Sequence, residues 1–380
     1  MCVSGKEWEQ WCDSRFPEQL ALLKQLAAIP APSHHEEKRA VFILDWLKAR
    51  GADQAYMDPA LNVVLPLGCA GRDDIRVYMA HTDVVFPDTE ALPVREENGR
   101  LYAPGVGDDT ANVVALMLCA EYILLKNLTP KEPVLMVFNS CEEGLGNLKG
   151  VRQICADFSG RIRELVSFDC QYSSLVMRAV GSERWKVTCR TCGGHSYGAF
   201  GNPNAIAHLA GLIGKLYSQP IPVKPDSRTT YNVGTIQGGT SVNTIAQQAE
   251  MTYEYRSDDY EAMLQMRRQF LQMVEAADCD GARFEITLLG ERPCGNAVPE
   301  QAQAALLERC SRAVEAVTGR KPSLQSGSTD ANIPLSLGIP AATFGLYLGA
   351  GAHTREEYVE IDSLNPGLKI GLGLVLSSFA

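Results

Sequence analysis

Residues 75–83 read IRVYMAHTD, a short apolar strand that ends in two polar side chains, His81 and Asp83. Three further apolar runs have the same character, and a helical pattern over Asp109–Lys126 separates the first two. The predicted strands are Ile75–Ala80, Val134–Asn139, Leu165–Phe168 and Ala341–Phe344. Short apolar strands that alternate with helices are typical of sheets that are buried on both faces. The sequence therefore predicts an α/β fold with a mostly parallel sheet flanked by helices.

The ends of these strands carry the candidate chemistry. In open α/β sheets, ligands bind just beyond the carboxyl ends of the strands. Five positions there hold side chains that can bind a metal ion: His81, Asp108, Glu143, Asp169 and His353. Each alone has an ordinary explanation, such as a helix cap for Asp108. Unpaired charges that converge at the ends of buried strands are costly. Divalent cations would offset that cost, so the five together predict a metal site.

The types of these side chains indicate which metal. Two imidazoles and several carboxylates without a thiolate suit zinc, manganese or cobalt better than calcium. Two ions that share a bridging carboxylate lie ~3.5–4 Å apart and activate a water molecule between them. The sequence thus predicts two divalent ions per chain, with zinc favoured and manganese or cobalt as alternatives.

Two further acidic residues lie beside the predicted ligands. Asp83 follows His81 by two positions, so both side chains point to the same side of a strand. Its carboxylate can therefore accept the second N–H of the imidazole and fix its orientation. Glu142 precedes Glu143 and can take a proton from the attacking water as a general base. A third metal ligand and a solvated charge are the alternatives for Glu142.

A second pattern begins near Gly181, and the length of 380 residues itself suggests two domains. Alternating strands and amphipathic helices follow in the order β-α-β-β-α-β, which is that of a ferredoxin-like unit. We therefore predict a discontinuous α/β domain over residues 1–180 and 289–380, with an inserted α+β domain over residues 181–288.

A capping box is predicted near the start of the chain. Ser33 is followed three positions later by Glu36, directly before a helical pattern that runs to about Arg50. His34 and His35 would then be exposed residues of the first helical turn.

Charge and hydropathy exclude several classes of protein. The formal net charge is −10, and no run of lysine or arginine is visible, which argues against a nucleic-acid partner. No apolar run is long enough to cross a bilayer. The first residues lack the apolar stretch of a secretory signal. We therefore expect a cytoplasmic protein without a membrane partner.

The 12 cysteines are scattered and suggest reduced thiols rather than a disulfide framework. Cys189 and Cys192 form a CxxC, but no second pair with zinc-site spacing exists. Cys141 and Cys170 flank the predicted site. A thiol nucleophile would need a basic partner, none is indicated, and both are expected to be packing residues.

The motifs form a set: HTD at residues 81–83, GVGDD at 105–109, EEG at 142–144, Asp169, GGHS at 193–196 and His353. This set resembles the co-catalytic zinc exopeptidase and amidohydrolase family. Peptidase T, carboxypeptidase G, aminoacylase, acetylornithine deacetylase and succinyl-diaminopimelate desuccinylase are members. The resemblance covers nearly the whole chain in the same order. No single motif is specific, but the set is.

The resemblance implies a role for each predicted ligand. His81, Asp108 and Asp169 would hold one zinc ion. Asp108, Glu143 and His353 would hold the other, with Asp108 as the bridge between them.

The resemblance also implies roles beyond the metal ligands. Glu142 would be the general base, and Asp83 would orient the imidazole next to it. The inserted domain would act as a lid and form a homodimer. His195 would polarise the scissile carbonyl from the partner subunit, although a His-Ser pair after two glycines can also merely shape a turn. Asn243 and Arg256 lie where family members contact substrate.

Two stretches resemble the peptidase T-like branch most closely, GVGDDTANV at 105–113 and NSCEEGLGNLKG at 139–150. This implies an aminopeptidase that acts on di- or tripeptides. Two positions depart from the family pattern: many members carry lysine or asparagine at Thr110 and a polar residue at Cys141. Neither position supplies a ligand, so these departures bear on substrate choice.

Three alternatives to the aminopeptidase can be considered. An N-acyl amino acid amidohydrolase, a deacetylase or a carboxypeptidase of the same family would share the ligand set. A non-catalytic metal-binding protein on this fold is a second alternative, although such a protein would be free to lose Glu142. A nucleotide-binding enzyme is disfavoured, because the glycine-rich turn at residues 105–107 lacks a full GxGxxG and a Walker lysine.

Overall fold

The structure is a computed structural model that describes residues 5–279, 281–296 and 298–379, with Gly5 and Lys6 described by their backbone alone. The chain divides into two units. A catalytic-site unit, so called because it carries the predicted ligands, comprises the residues up to Ala179 and from Asn296 onward. The inserted unit comprises Val180–Gly295. None of the helices in these described ranges combines the length and the hydropathy that crossing a membrane requires.

The elements follow one another in three blocks. The first block contains α1 (Gly5–Ala27), α2 (Glu37–Lys48), β1 (Tyr56–Met57), β2 (Val63–Leu67), β3 (Ile75–His81), β4 (Arg95–Glu97), β5 (Arg100–Tyr102), α3 (Asn112–Leu125), β6 (Val134–Asn139), α4 (Lys149–Asp157), β7 (Ile162–Ser167) and β8 (Ser174–Ala179). The inserted unit contains β9 (Gly181–Thr191), β10 (Gly194–His195), α5 (Ala205–Ser218), β11 (Thr229–Gly238), β12 (Thr244–Ile245), β13 (Gln248–Ser257), α6 (Tyr260–Glu275) and β14 (Ala282–Arg292). The last block contains α7 (Glu300–Thr318), β15 (Ser323–Gly327), α8 (Asn332–Ser336), β16 (Ala341–Thr343), β17 (Gly349–Ala350), β18 (Tyr358–Glu360) and α9 (Leu364–Leu376).

The large sheet of the catalytic-site unit is mixed, with a parallel centre. Its eight strands lie in the order β1-β2-β6-β3-β7-β16-β8-β15. The four central strands, β6, β3, β7 and β16, are mutually parallel. The predicted α/β fold with a mostly parallel, helix-flanked sheet is therefore confirmed.

The central strands are buried because both faces of the sheet carry a hydrophobic core. Along β3, Tyr78 and Ala80 belong to one core cluster, whereas Val77 and Met79 belong to the other. This is the two-residue alternation of a strand. With apolar residues on both faces, β3 is continuously hydrophobic from Val77 to Ala80 rather than alternating, which is typical of a buried strand.

A second, smaller sheet of the same unit connects two distant loops. Its order is β17-β18-β5-β4, and all its pairs are antiparallel. Strand β18 pairs with β5 so that Tyr358 lies opposite Tyr102. The loop that carries His353 is thereby joined to the segment that leads into the glycine-rich turn at residues 105–107.

The inserted unit is an antiparallel sheet with two helices and its own core. The sheet order is β11-β13-β9-β14, and α5 and α6 contribute to one hydrophobic cluster with it. The long elements follow in the predicted order β-α-β-β-α-β. The boundary expected at residue 288 lies instead at Gly295, because β14 continues to Arg292 and pairs there with Ser182 of β9. The roles of this unit as a lid and in dimerisation stay predictions.

The predicted capping box at Ser33 and Glu36 is wrong. Helix α2 begins after Glu36, and no side chain caps it. The hydroxyl of Ser33 donates instead to the Asp83 carboxylate, 2.7 Å away. The carboxylate of Glu36 accepts the backbone N–H groups of His34 and Cys141, each at 3.0 Å. The two polar side chains thus bind segments that packing brings close, rather than their own helix.

Candidate metal centre

Three of the predicted ligands lie at one edge of the large sheet. His81 is the last residue of β3, Glu143 follows β6, and Asp169 follows β7. These strands are parallel neighbours, so their carboxyl ends meet at the same edge. All three side chains are buried.

The other two ligands come from loops. Asp108 lies in a helical turn at Val106–Ala111, directly before α3, and the peptide bond that joins it to Asp109 is cis. His353 lies between β17 and β18 with a φ of +66°. Its side chain is 58% exposed, whereas that of Asp108 is 17% exposed. His353 is therefore the most accessible of the five predicted ligands.

The structure brings all five predicted ligands together. Their donor atoms form three overlapping groups, within each of which the atoms lie no more than 4.8 Å apart. The groups are His81, Asp108, Asp109 and Asp169; His81, Glu142 and Glu143; and Asp108, Glu143 and His353. Asp108 belongs to the first and the third group, which is the arrangement that a bridging carboxylate requires.

The hydrogen bonds of Asp108 show this two-sided geometry directly. Its Oδ1 lies 3.1 Å from Nε2 of His81, and its Oδ2 lies 3.2 Å from Nε2 of His353. Nε2 of His353 is also 3.3 Å from Oε1 of Glu143. Each oxygen of one carboxylate therefore faces a different imidazole.

The electrostatics of the site are those of crowded, buried carboxylates. Burial raises the pKa of Glu143 to about 8, and the nearby charge of Asp108 adds to the rise. Burial also raises the pKa of Asp169 to about 7. Hydrogen bonds to Asp108 and Glu143 raise the pKa of His353 to about 10. Burial opposes ionisation of Asp108, but hydrogen bonds from the two imidazoles outweigh it and lower the pKa of that carboxyl.

The donor set fits divalent cations. Imidazole nitrogens and carboxylate oxygens are suitable ligands for zinc, manganese and cobalt. Burial and the negative charges of Asp108 and Glu142 raise the pKa values of Glu143 and Asp169, and the nearby imidazoles do not fully offset this rise. Bound cations would supply that charge.

Asp83 does more than the sequence predicted. Nδ1 of His81 lies 3.4 Å from Oδ1 of Asp83, as expected, but the backbone carbonyl of Asp83 is closer at 3.1 Å. The Asp83 carboxylate also accepts the backbone N–H groups of Glu142 and Glu143 at 3.0 and 2.9 Å. One buried carboxylate therefore positions the segment that carries the predicted base and a predicted ligand.

Three residues near Asp108 were missed by sequence reasoning. Asp109 is fully buried, and its Oδ2 accepts the backbone N–H of His81 at 2.8 Å. Glu357 accepts three backbone N–H groups of the turn before α3. Arg39, which lies on helix α2, donates to Thr110 Oγ1 at 3.1 Å. Only Asp109 had a usable signal, because it adjoins a predicted ligand, whereas the other two lie far away in the sequence.

The surroundings of Cys141 differ from expectation in one respect. Nδ1 of His34 lies 3.3 Å from the sulfur, so the expectation that no basic partner is nearby was wrong. His34 is nevertheless exposed, as predicted. The thiol of Cys141 donates to Glu36, and burial raises its pKa to about 12. A raised pKa favours the thiol over the nucleophilic thiolate, which agrees with the expected packing role of Cys141.

Two of the three predicted site residues of the inserted unit are neighbours, whereas Arg256 lies at the other end of β13, opposite Ser182. His195 and Asn243 are exposed and lie on adjoining segments, where the N–H of Ser196 donates to the carbonyl of Asn243 at 2.9 Å. Arg256 is half-buried on β13 and pairs with Glu254 at 3.0 Å. Their substrate roles stay predictions.

The orientation of the His195 ring follows from its backbone contacts. Nδ1 of His195 accepts the N–H groups of Tyr197 and Gly198, both at 3.3 Å. A neutral imidazole with an accepting Nδ1 carries its proton on Nε2. His195 is thus set to donate a hydrogen bond from Nε2.

The chain matches one protein family and is similar to known proteins over most of its length. The family model for peptidase family M20/M25/M40 matches residues 77–377. The chain is 24% identical to the succinyl-diaminopimelate desuccinylase of Corynebacterium glutamicum, over 91% of this chain and 93% of that one. It is 26% identical to the acetylornithine deacetylase of Myxococcus xanthus, over 92% and 94% of the two chains. The crystal structure of aminopeptidase PepT from Bacillus cereus has the same fold, with a TM-score of 0.75 at 19% identity over 96% and 98% of the two chains.

Proposed function

Because the chain belongs to peptidase family M20/M25/M40 and is a metal-dependent hydrolase of peptide or other amide bonds, we propose that it is an exopeptidase. Its substrates would be di- or tripeptides, and it would act as an aminopeptidase. One observation carries the two-metal hydrolase on which this proposal rests: two overlapping groups of side chains that could hold a metal ion share Asp108. A shared carboxylate between two ligand groups is typical of a two-ion hydrolytic site.

The predicted ligands would hold two divalent ions, preferably zinc. His81, Asp108 and Asp169 would hold one ion, and Asp108, Glu143 and His353 would hold the other. Ions bound there lower the pKa of a water molecule toward about 7 and polarise a carbonyl group. The remaining chemistry falls to side chains that are not ligands.

Glu142 would move the proton. It is 4% exposed, and Asp83 holds its backbone N–H at 3.0 Å. Its carboxylate would take a proton from the attacking water while the water oxygen bonds to the carbonyl carbon. It would then pass that proton to the departing nitrogen as the C–N bond breaks. A base next to the ligand Glu143 is well placed for both transfers.

His195 would stabilise the negative charge that develops on the carbonyl oxygen. Its accepting Nδ1 leaves Nε2 as a donor, which is what this role needs. Three exposed apolar side chains lie on the same two segments: Tyr197 at 90%, Phe200 at 91% and Val242 at 102% exposed. Exposed apolar clusters mark contact surfaces. They support the proposal that the inserted unit forms a homodimer and presents His195 to a second subunit.

An N-acyl amino acid amidohydrolase is the second candidate. The two curated relatives described above are a desuccinylase and a deacetylase, and both align over more than nine-tenths of this chain. The same ligands, base and oxyanion donor would serve that reaction, because a peptide and an N-acyl amino acid both contain an amide bond. Only the substrate-contacting loops would differ.

Metal analysis combined with a substrate screen tests the proposal. We expect about two ions per chain, cleavage of di- or tripeptides with a free amino terminus, and loss of cleavage on chelation that zinc, manganese or cobalt reverses. Peptides blocked at the carboxyl terminus separate an aminopeptidase from a carboxypeptidase. Two ions with cleavage of N-acyl amino acids alone would favour the second candidate. No metal and no effect of chelation would refute both.

A further inference from the structure

Glu357 has a set of contacts that the proposed mechanism does not use. Its side chain is 2% exposed although it lies only four positions after the accessible His353. Oε2 accepts the backbone N–H of Gly105 at 2.9 Å. Oε1 accepts those of Gly107 and Asp108 at 2.8 and 2.7 Å. A single carboxylate thus satisfies three backbone donors that lie about 250 positions away in the sequence.

The turn that Glu357 holds makes only a few hydrogen bonds of its own: the N–H of Val106 donates to the carbonyl of Ala103 at 3.1 Å, and the N–H of Thr110 donates to that of Gly105 at 3.4 Å. Gly105 adopts a φ of +71°, which is a conformation that favours glycine. Asp108 and Asp109 have non-helical backbone angles, so the turn is not a regular start of α3. The first N–H groups of a helix have no partner within the helix. An external acceptor must therefore satisfy them and define the path of the turn.

The same segment carries a second ligand. His353 precedes Glu357 in one loop, in which Thr354 N donates to the carbonyl of Gly351 at 3.0 Å. The backbone carbonyl of Glu357 accepts the N–H of Ala103 at 3.2 Å. The side chain and the backbone of Glu357 therefore both form hydrogen bonds between the two loops. These contacts join the loop of His353 to the turn of Asp108, in addition to the pairing of β18 with β5.

We propose that Glu357 is a positioning residue of the metal centre, which holds the Asp108 turn against the His353 loop without touching metal or substrate. The inference rests on the proposed function to the extent that Asp108 and His353 are taken as ligands. Residues that orient the ligands of a metal site typically change metal affinity ~10–100-fold when they are replaced.

Two matched substitutions test this role. Glu357→Gln keeps the size of the side chain but turns one acceptor into a donor that faces a backbone N–H. Glu360→Gln is the control, because Glu360 lies on adjacent β18, its side chain is 39% exposed, and its partner Arg100 is at the surface. We expect Glu357→Gln to bind zinc ~10–100-fold more weakly in competition with a chromophoric chelator. The control should bind like the parent.

Hydrogen exchange of the metal-free chain provides a readout that needs neither metal nor activity. Amides in residues 103–111 should exchange faster in Glu357→Gln than in the parent or in Glu360→Gln, while peptides from the inserted unit stay unchanged. If Glu357→Gln does not fold, Glu357→Asp replaces it with the same expectations, because its shorter carboxylate keeps the charge but cannot reach all three donors.

The outcomes separate this inference from the proposed function. Parental zinc affinity in the folded variant overturns the positioning role, whether or not local exchange is faster. Weaker binding with faster exchange limited to residues 103–111 supports it. If the parent itself bound fewer than two ions, the dinuclear centre would be refuted. The exchange comparison would then still show whether Glu357 holds the turn.

Discussion

Two histidines, His81 and His195, each end a β-strand, yet their surroundings differ completely. His81 is 1% exposed, and both ring nitrogens face carboxylate or carbonyl oxygens at 3.1 Å. His195 is exposed, and only its Nδ1 has described hydrogen-bond partners, which are two backbone N–H groups. The catalytic-site unit thus assembles its candidate centre from its own residues. In the inserted unit, the two segments that shape the His195 turn form described hydrogen bonds only to Nδ1 of its ring, and the proposed mechanism assigns Nε2 as a donor to substrate.

This difference indicates two kinds of functional residue. Several buried groups together fix the position of a predicted ligand such as His81. A residue such as His195 is oriented by its own loop, and the role proposed for it requires a second surface. Substitutions in the catalytic-site unit and in the inserted unit should therefore change different properties of the protein.

The largest expected effect is at Glu142, inside the buried cluster. Glu142→Gln should keep both metal ions and lower kcat by ~10²–10⁴-fold, because the amide cannot take a proton. Glu143→Gln is the matched comparison and should lose metal, because it removes a ligand. Steady-state kinetics and elemental analysis measure the two properties. Turnover by Glu142→Gln at the parental rate would show that another group is the base.

His195→Ala comes next and tests the exposed region. We expect a fall in kcat of ~10²–10³-fold with unchanged metal content, because one donor to the developing oxyanion is lost. His208→Ala, on α5 of the same unit, should behave like the parent. Light scattering reports the oligomeric state in parallel. A His195→Ala variant with full activity would leave the residue with only a role in shaping its turn.

Arg256 should have a smaller effect that appears in binding. Loss of a charged hydrogen bond to substrate in Arg256→Ala should raise KM about tenfold with little change in kcat. Arg190→Ala is the control, because Arg190 is an exposed arginine of the same sheet and pairs with Glu285. Equal kinetics of the two variants would remove Arg256 from the substrate site.

The smallest expected effect is a pH dependence of the metal-induced increase in Tm. It tests the carboxylates of the buried cluster. The pKa of Glu143 rises from 4.5 to about 8 and that of Asp169 from 3.8 to about 7 on folding. Groups with raised carboxyl pKa values make the metal-free protein less stable as pH increases from about 4 to about 8. Cations should reverse this loss, so the metal-induced increase in Tm should be a few degrees larger at pH 8 than at pH 6. Calorimetry at both pH values measures it, and a smaller increase at pH 8 would contradict the assignment of these carboxylates as ligands.

The sequence predicted the family, the α/β fold and the inserted α+β pattern, and all three are confirmed. It did so because strands and helices leave periodic patterns, and because the candidate ligands directly follow strands that parallel packing must bring to one edge. The domain roles and the residue roles stay predictions, although the five proposed ligands do lie together.

The failure of the predicted capping box has a physical cause. Ser33 and Glu36 have the spacing of a helix cap, but their side chains bind Asp83 and the segment at Cys141. Such tertiary partners compete with the local helix for the same hydrogen-bonding groups. Spacing in the sequence indicates only the hydrogen bonds that a side chain could make to its own helix, and not those to distant segments.

The chain by itself determined which residue types stand at the strand ends, and hence the class of chemistry. Only the tertiary structure decided what holds them in place. The Asp83 carboxylate between two backbone N–H groups and the Glu357 carboxylate on the Asp108 turn join residues far apart in the chain. Hydrogen bonds of this kind follow no local period, because packing of the whole unit determines which distant groups meet.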